Sequence, residues 1–540
     1  MDTRAETSSS HTYSLGDMQR KSIIDAISLT VTPNRWRVVV VDRASLKIIS
    51  NALKMHAILE QNVMAVQLIT RSRQPYPDMD AIYILVPCAD SILRMIDDFS
   101  NEADQQDDAQ TKYAHAHLFF TGQLSKELFA LLTRSRAAPY VKNISEMFVE
   151  FNPFESRVFL TTPSEQPFYS LYSPNAADAI TKDLDAASDR LLSVIATLGI
   201  QPFIRYYSPE ANSKSSNPSP VGDSVPRIAR AMADRLQLKL DEFYSVGQHA
   251  YAEDKTGSQS KQSGPPSVIL VLDRSIDMYA PLIHEMSYQA MVYDLVGLDE
   301  GDKHTYTIES NDGQTHQHEA KLSEKTDPLW EKLRHEHIGN VADILATRLE
   351  RFAEESAGVS SFSSDGKKLT LEEMKRFLAD LPDFKKKQSL YSAHTDLVTK
   401  CMEVFDQRNL SAVVEFEQEL VTQLSSEGEP VGRMSLETRL VALLDDHDLE
   451  YKWVTSSQPS TDKQKSWFVP AVQNIISSVY AHQKGTLIIY IAGGMTFSEM
   501  RSVYEMARKY RRQIYIGSTH IITPGGFLND LKSLHLKMLM

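Results

Sequence analysis

The residues best suited to chemistry fall in one stretch, Leu272-Asp273-Arg274, then Asp277, then His284-Glu285. An aspartate closing an apolar strand such as VILVLD resembles the magnesium-binding end of nucleotide hydrolases. GG-x-T-x-S after TLIIYIA resembles a phosphate loop at a helix amino terminus. That reaction needs G-x-x-x-x-G-K-[ST], and the sequence has none: Gly366-Lys367-Lys368 carries the wrong upstream spacing. Strand termination followed by a Thr496 or Ser498 helix cap accounts for the same residues. His284-Glu285 opens like a zinc-protease helix, but position 288 is Tyr, so the second ligand one turn on is missing. His335 and His337, two apart on an expected helix, face different sides. Gly517-Ser518-Thr519 lacks the closing glycine of a nucleophile elbow, and neither Cys88 nor Cys401 has a reactive setting. We therefore expect no metal, no cofactor and no catalysis, with a nucleotide-binding enzyme as the remote alternative.

The elements that would position these residues belong to a chain of ordinary globular composition. With 540 residues, two to four domains are expected, and 24% charged with 42% hydrophobic residues excludes a mostly disordered or fibrous protein. The net charge of −14 argues against broad binding to nucleic acid or anionic lipid. Two cysteines more than 300 positions apart suit a reducing, cytoplasmic compartment. The start, MDTRAETSSSHTYS, has no apolar core and reads as neither signal nor transit peptide, and no apolar run reaches bilayer length. Membrane contact is expected through partners alone.

Apolar patterning predicts alternating strands and helices: strand RVVVV at 37–41, a helix over SLKIISNALKMHAIL capped by Ser45, strand 81–87, helix, strand 116–121, helix. This βαβα order indicates a parallel sheet wrapped by helices. A second unit starts with strands near 148–161 and a helix near 175–197, and Ser/Pro/Gly-rich stretches interrupt it at 211–224 and 253–267. From 327 to about 424 the pattern is helical: one long helix over DPLWEKLRHEHIGNVADILATRLERFAEE, a polar break, then a helical segment carrying Pro382. The carboxyl end returns to a βαβα set that could complete an earlier sheet. The basic run Arg508 to Arg512 suits a solvated helix end, whereas Lys385-Lys386-Lys387 beside Pro382 suits contact with an acidic helix.

These segments carry a resemblance. Leu272-Asp273-Arg274, Asp277, Pro281-Leu282, His284-Glu285, Tyr288-Gln289-Ala290-Met291 and Tyr293-Asp294-Leu295 are similar to the signature of the Sec/Munc (SM) family of syntaxin-binding proteins. So are WRVVVVDRASLKIISNALKM at the start and IAGGMTFSEMRSVYE with IGSTHIITP at the end. The likeness is greatest to the exocytic, plasma-membrane branch, with an endosomal or Golgi member as the alternative. It implies an α/β fold in a three-domain arch: domain 1 at 20–147, domain 2 at 148–267 with 466–540, and a mostly helical domain 3 at 268–465. The segment at 272–296 then reads as a joint between domains, its charges Asp273 and Arg274 paired with each other or with Asp277.

The family resemblance further implies a chaperone of SNARE assembly in vesicle docking, fusion and exocytosis. It would be cytoplasmic, recruited to the plasma membrane by syntaxin, and would clasp a syntaxin-type SNARE between domains 1 and 3. Implied syntaxin-facing positions are Asp42, Lys47, Lys54, Gln67, Arg71 and Arg73, where Gln67 replaces a residue that is often acidic. A pocket for the syntaxin amino-terminal peptide maps to Phe129, Leu132, Val141, Ile144 and Glu146. A helical hairpin with Pro382 and Thr395 would meet the vesicle SNARE and the assembled SNARE complex. Between Tyr451 and Trp467 the chain is shorter than the family by several tens of residues.

Overall fold

The structure is a computed structural model. It describes residues 14–30, 35–99, 111–161, 166–207, 228–252, 267–298, 302–309, 315–364, 371–417, 451–453 and 485–536. Side chains are described over the same ranges except 174, 177, 246–252, 352–364, 371–385, 451–453 and 535–536. The chain divides into two compact units, one of residues 1–274, 436–494 and 503–520, the other of 275–435, 495–502 and 521–540.

The first unit opens with α1 (Leu15–Leu29), β1 (Arg37–Val41), α2 (Arg43–Ala52), α3 (Met55–Leu59), β2 (Val63–Leu68) and β3 (Tyr76–Leu85). Next come α4 (Ala89–Asp97), β4 (Tyr113–Phe120), α5 (Lys126–Thr133) and β5 (Val141–Glu146). The five strands form one parallel sheet, ordered β2-β1-β3-β4-β5. Strand side chains alternate between faces, so the run of valines serves both: Val38 and Val40 join Tyr83, Leu85 and Leu118 on one side, while Val39 and Val41 join Ile82, Ile84 and Phe119 on the other. The predicted strands are found. The predicted helix after β1 is two helices, and its cap is Asp42, whose Oδ1 accepts from the Ser45 amide at 2.8 Å, so Ser45 receives the cap and does not supply it.

A second sheet in this unit gathers β6 (Asn152–Glu155), β7 (Val158–Leu160), β8 (Pro202–Tyr207), β9 (Ser267–Asp273), β12 (Tyr451–Trp453), β13 (Leu487–Ala492) and β14 (Ile514–Ser518). Its order is β12-β8-β9-β13-β14-β7-β6, with antiparallel edges and parallel pairing within. The carboxyl-terminal strands thus complete the earlier sheet, as their pattern predicted. Between these strands run α6 (Pro167–Tyr172), α7 (Ala177–Leu198) and α8 (Ile228–Ala252), the last two tied by Asp185–Arg235 and Asp189–Lys239 ion pairs. In β14, a Cβ on Gly517 would lie 2.1 Å from Cζ of the buried Phe159. Gly517→Ala should therefore destabilise the first unit by about 1–3 kcal/mol through overpacking, read as a lower midpoint in urea with unchanged slope.

The second unit is mostly helical. It contains α9 (Tyr288–Met291) continued by a π-helical turn (Val292–Val296), the hairpin β10 (Lys303–Glu309) and β11 (Thr315–Lys321), α10 (Pro328–Leu333), α11 (Ile338–Ser364) and α12 (Leu371–Gln407). Two further helices follow late in the chain, α13 (Phe497–Lys509), whose first residues belong here, and α14 (Pro524–Leu536). Three expectations need correction. The long helix predicted from 327 is broken at 334–337, where the Tyr288 and Gln289 amides take the Glu336 and Arg334 carbonyls and Ser287 bridges His337. His335 and His337 therefore sit in a connection and not on a helix. The break expected in the polar stretch after Glu355 is also absent up to Ser364, which is helical. The β10–β11 hairpin, which alternation of Thr, Tyr and His obscured, was not anticipated. Pro382 lies within the continuous α12 backbone, while 454–484, including most of the shortened region, lies outside the described residues.

Candidate partner-binding surfaces

The residues that looked catalytic serve local structure. Thr496 and Glu499 cap α13 reciprocally: the Thr496 amide donates to Glu499 Oε2 at 2.9 Å and the Glu499 amide to Thr496 Oγ1 at 3.3 Å. Gly493 has φ 93°, and a Cβ there would lie 2.5 Å from the Tyr172 hydroxyl, so the glycine leaves room for a tyrosine whose hydroxyl donates to the Ala492 carbonyl and accepts from the Arg274 amide. Arg274 is fully buried with Nη1 against the Gly494 carbonyl. Asp277 turns the chain by accepting from the Tyr279 and Ala280 amides. His284 is held by Glu417, through its amide at 2.9 Å and its ring at 2.8 Å. Among the described residues no group of His, Cys, Asp and Glu could hold a metal ion.

Of the positions assigned to a syntaxin-facing surface, Lys47 on α2, Lys54 before α3 and Arg71 after β2 are exposed. Gln67 is half-buried and hydrogen-bonds the Tyr113 hydroxyl. Asp42 is buried: besides capping α2 it accepts from the Val86 amide at 2.7 Å and Ser91 Oγ at 3.0 Å. The Arg73 side chain is buried too and grips Asp98 with both terminal guanidinium nitrogens, at 2.8 and 2.9 Å. Asp98 also takes Tyr83 Oη and Lys112 Nζ. Burial works against the Arg73 charge and Asp98 more than offsets it, leaving its pKa above the ordinary arginine value. The exposed members of this set, Lys47, Lys54 and Arg71, are thus all cationic.

Of the five positions assigned to the peptide pocket, Leu132, Val141 and Ile144 line one cavity at the β5 edge of the first sheet, and Phe129 and Glu146 are not in its lining. A surface cavity of about 250 Å³ is lined by Leu132, Thr133, Ala138, Val141, Lys142, Asn143 and Ile144. Leu132 forms its buried floor, and Ile144 stands exposed at its rim. Phe129 is 48% exposed on α5, one turn before Thr133, whose hydroxyl bonds its carbonyl. Glu146 ends β5 and accepts from the Leu124 amide at 2.7 Å. Desolvation, partly offset by that amide and reinforced by Glu242, raises its carboxyl pKa above the ordinary glutamate range. Ser125 caps α5 and so fixes the wall that Leu132 and Thr133 share. Sequence reasoning missed Thr133, Ala138, Lys142 and Asn143. The strict alternation of β5 could have flagged its odd residues as inward and its even residues as outward.

Next to Asn143 in register lies His117 on β4, buried and 3.9 Å from Asp80. Burial lowers its pKa below 6.5, Asp80 partly restores it, and Lys142, Arg37 and His115 lower it further. The folded form binds fewer protons than the unfolded chain, so this contribution to stability is complete above about pH 6.5 and is lost as pH falls through the depressed folded value. The thermal midpoint should drop from pH 6.5 towards 5, and His117→Leu should flatten that slope.

On α12, Thr395 is exposed, as are Lys386 and Lys387, and the adjacent His394 is fully buried. No helix among the described residues is long and apolar enough to cross a membrane. Comparisons with known proteins agree with one another. The Sec1 family model matches residues 37–452 and 436–530. Protein transport protein sec1 of Dictyostelium discoideum is 28% identical over 96% of this chain and 99% of its own length; the Schizosaccharomyces pombe protein of the same name is 24% identical over 95% and 84%. The fold is similar to that in the Unc18–syntaxin 1 complex from Monosiga brevicollis (TM-score 0.67, 21% identity, 97% of this chain and all of that one). It is likewise similar to Sly1p in complex with an N-terminal peptide of Sed5p (TM-score 0.61, 18% identity, 96% and 98%).

Proposed function

Since this chain belongs to the Sec1 family, we propose that it is a syntaxin-binding regulator of SNARE assembly in vesicle docking and fusion, acting by binding and not by catalysis. Binding free energy that favours one SNARE conformation is enough to steer assembly, and it requires no covalent step. The observation that carries the reading is the β5-edge cavity, which offers apolar walls from Leu132, Val141 and Ile144 within one small cavity and a carboxylate, Glu146, on the same strand. An extended peptide with an apolar anchor and an arginine has the matching chemistry, and the solved complex of Sly1p with an N-terminal peptide of Sed5p supports reading a syntaxin amino-terminal segment as its occupant.

The exposed Lys47, Lys54 and Arg71 supply a cationic surface that would steer an acidic helical bundle, with Gln67 a weaker polar contact. Asp42 and Arg73 support that surface from within. α12 is the element for the vesicle SNARE and the assembled SNARE complex, with Thr395 facing the partner. The relatives named as Sec1 proteins favour an exocytic role, and recruitment to the plasma membrane through syntaxin is part of the same proposal. We retain the division into three domains at 20–147, 148–267 with 466–540, and 268–465 as part of this proposal, corrected in that β9 (Ser267–Asp273) goes with the second sheet, where it pairs with β8 and β13.

A pull-down against a panel of syntaxin cytoplasmic fragments, each with and without its first residues, tests the reading. Tightest capture of a plasma-membrane syntaxin is expected, and tighter capture of an endosomal or Golgi syntaxin would move the chain to that branch. Proline inside a helix removes an amide donor and crowds the preceding turn at about 3 kcal/mol. Pro382→Ala should therefore favour the straight form of α12 and speed SNARE assembly in a reconstituted fusion assay; unchanged kinetics would count against a proline switch.

A further inference from the structure

Helix α12 is 37 residues long, and its described side chains divide into two parts. Lys386, Lys387 and Gln388 are exposed, whereas Leu390, Leu397, Val398 and Cys401 pack into the core of the second unit with Trp330, Val341 and Leu345. An apolar seam is non-directional, so by itself it tolerates rotation and tilt of the helix. Direction comes from hydrogen bonds at the start of the packed part. Tyr306 on β10 reaches the Ser389 carbonyl at 3.0 Å and hydroxyl at 2.6 Å, and His304 reaches Asp396 at 2.6 Å.

The innermost fastening is His394, which is fully buried with both ring nitrogens engaged. Nδ1 is 2.7 Å from the Tyr288 hydroxyl of α9, and Nε2 is 2.9 Å from Asp327 Oδ2. The other oxygen of Asp327 caps α10 by accepting from the Leu329 and Trp330 amides at 3.0 and 2.9 Å. Burial holds the Tyr288 pKa well above its ordinary value, so the phenol keeps its proton, and the two ring nitrogens of His394 are hydrogen-bonded one to that hydroxyl and one to the Asp327 carboxylate. One fully satisfied chain of hydrogen bonds therefore links α9, α10 and α12 at a single point. Such a network specifies one arrangement where packing alone would accept several. From His394 to Pro382 the helix runs about 18 Å, so a tilt of ~10° at this fulcrum would carry Pro382 about 3 Å.

We infer that Tyr288, His394 and Asp327 are positioning residues: they set the rotation and tilt of α12 and thereby aim its amino-terminal part, together with the exposed Thr395, at the SNARE that it binds. The inference rests on the proposed function of α12, and its test separates the two. Spin labels are placed at Lys387 and Lys332, both exposed, in a Cys88→Ser background, and the distance distribution is compared with that of the same protein carrying Tyr288→Phe, which keeps the ring and removes one hydroxyl. A broadened or shifted distribution is expected, together with SNARE assembly slowed about fivefold, the loss of one net hydrogen bond's worth of bias. Leu333→Ala, which removes packing but leaves the chain of hydrogen bonds intact, should lower the thermal midpoint without moving the distribution. An unchanged distribution in Tyr288→Phe overturns the inference. So does a changed distribution with unchanged assembly in a variant that still captures syntaxin. Failure of the parent itself to capture any syntaxin would instead refute the function from which the inference starts.

Discussion

Ile144→Asp will weaken capture of a syntaxin amino-terminal peptide by about thirtyfold or more, because truncating or charging a central anchor contact costs at least about 2 kcal/mol. Ile144 stands at the rim of the β5-edge cavity and is 36% exposed in the free chain, so the change should leave folding nearly untouched. The new carboxylate would be desolvated by the incoming apolar side chain with no cation assigned to it. Calorimetry with the peptide alone reads the loss directly. Affinity within about threefold of the parent, less than 1 kcal/mol, would remove the cavity from the account. Because the pKa of Glu146 is raised, parent binding of an arginine-bearing peptide should also weaken on acidification at a higher pH than an ordinary glutamate would give.

The second large effect concerns stability. Asp98→Ala should cost about 3–5 kcal/mol, since it strands Arg73, whose side chain is 4% exposed, together with the buried Tyr83 hydroxyl. Adding Arg73→Met should recover much of the loss, because an apolar pair of similar volume avoids burying an unmatched charge. Urea denaturation of the single and double variants decides the matter; a double variant no more stable than Asp98→Ala would mean that the cost lies elsewhere. The same pair separates support from contact on the surface proposed to face syntaxin. Lys54→Glu should reduce the association rate and leave stability alone, whereas changes at Arg73 should act on stability first.

These residues show how far the sequence could be read. Strands buried on both faces announce themselves as continuous apolar runs, as RVVVV and TLIIYIA do, whereas β2 and β5, only partly buried, were not predicted. The capping role of Thr496 was legible because Thr-x-x-Glu before an apolar run has one efficient use. Burial of charge was not legible. Arg71 and Arg73 look alike in sequence, yet one is exposed and the other locked on Asp98, a partner 25 positions away that only tertiary folding brings near. Asp42 follows the same logic, since its contacts at Val86 and Ser91 come from the next βα unit. The break at 334–337 escaped periodicity because the pairing of Ser287 with His337 is non-local. Of the cavity, Leu132, Val141 and Ile144 came from a resemblance, while Lys142 and Asn143 needed the edge position of β5.

The central claim is that this protein works by binding a syntaxin-type SNARE. Titration of the full chain with a syntaxin cytoplasmic fragment, and with the same fragment lacking its first residues, tests it most directly. The account predicts saturable binding that weakens when those residues are removed and is insensitive to ATP and GTP. Absence of binding to every syntaxin offered, or turnover of either nucleotide, would contradict it.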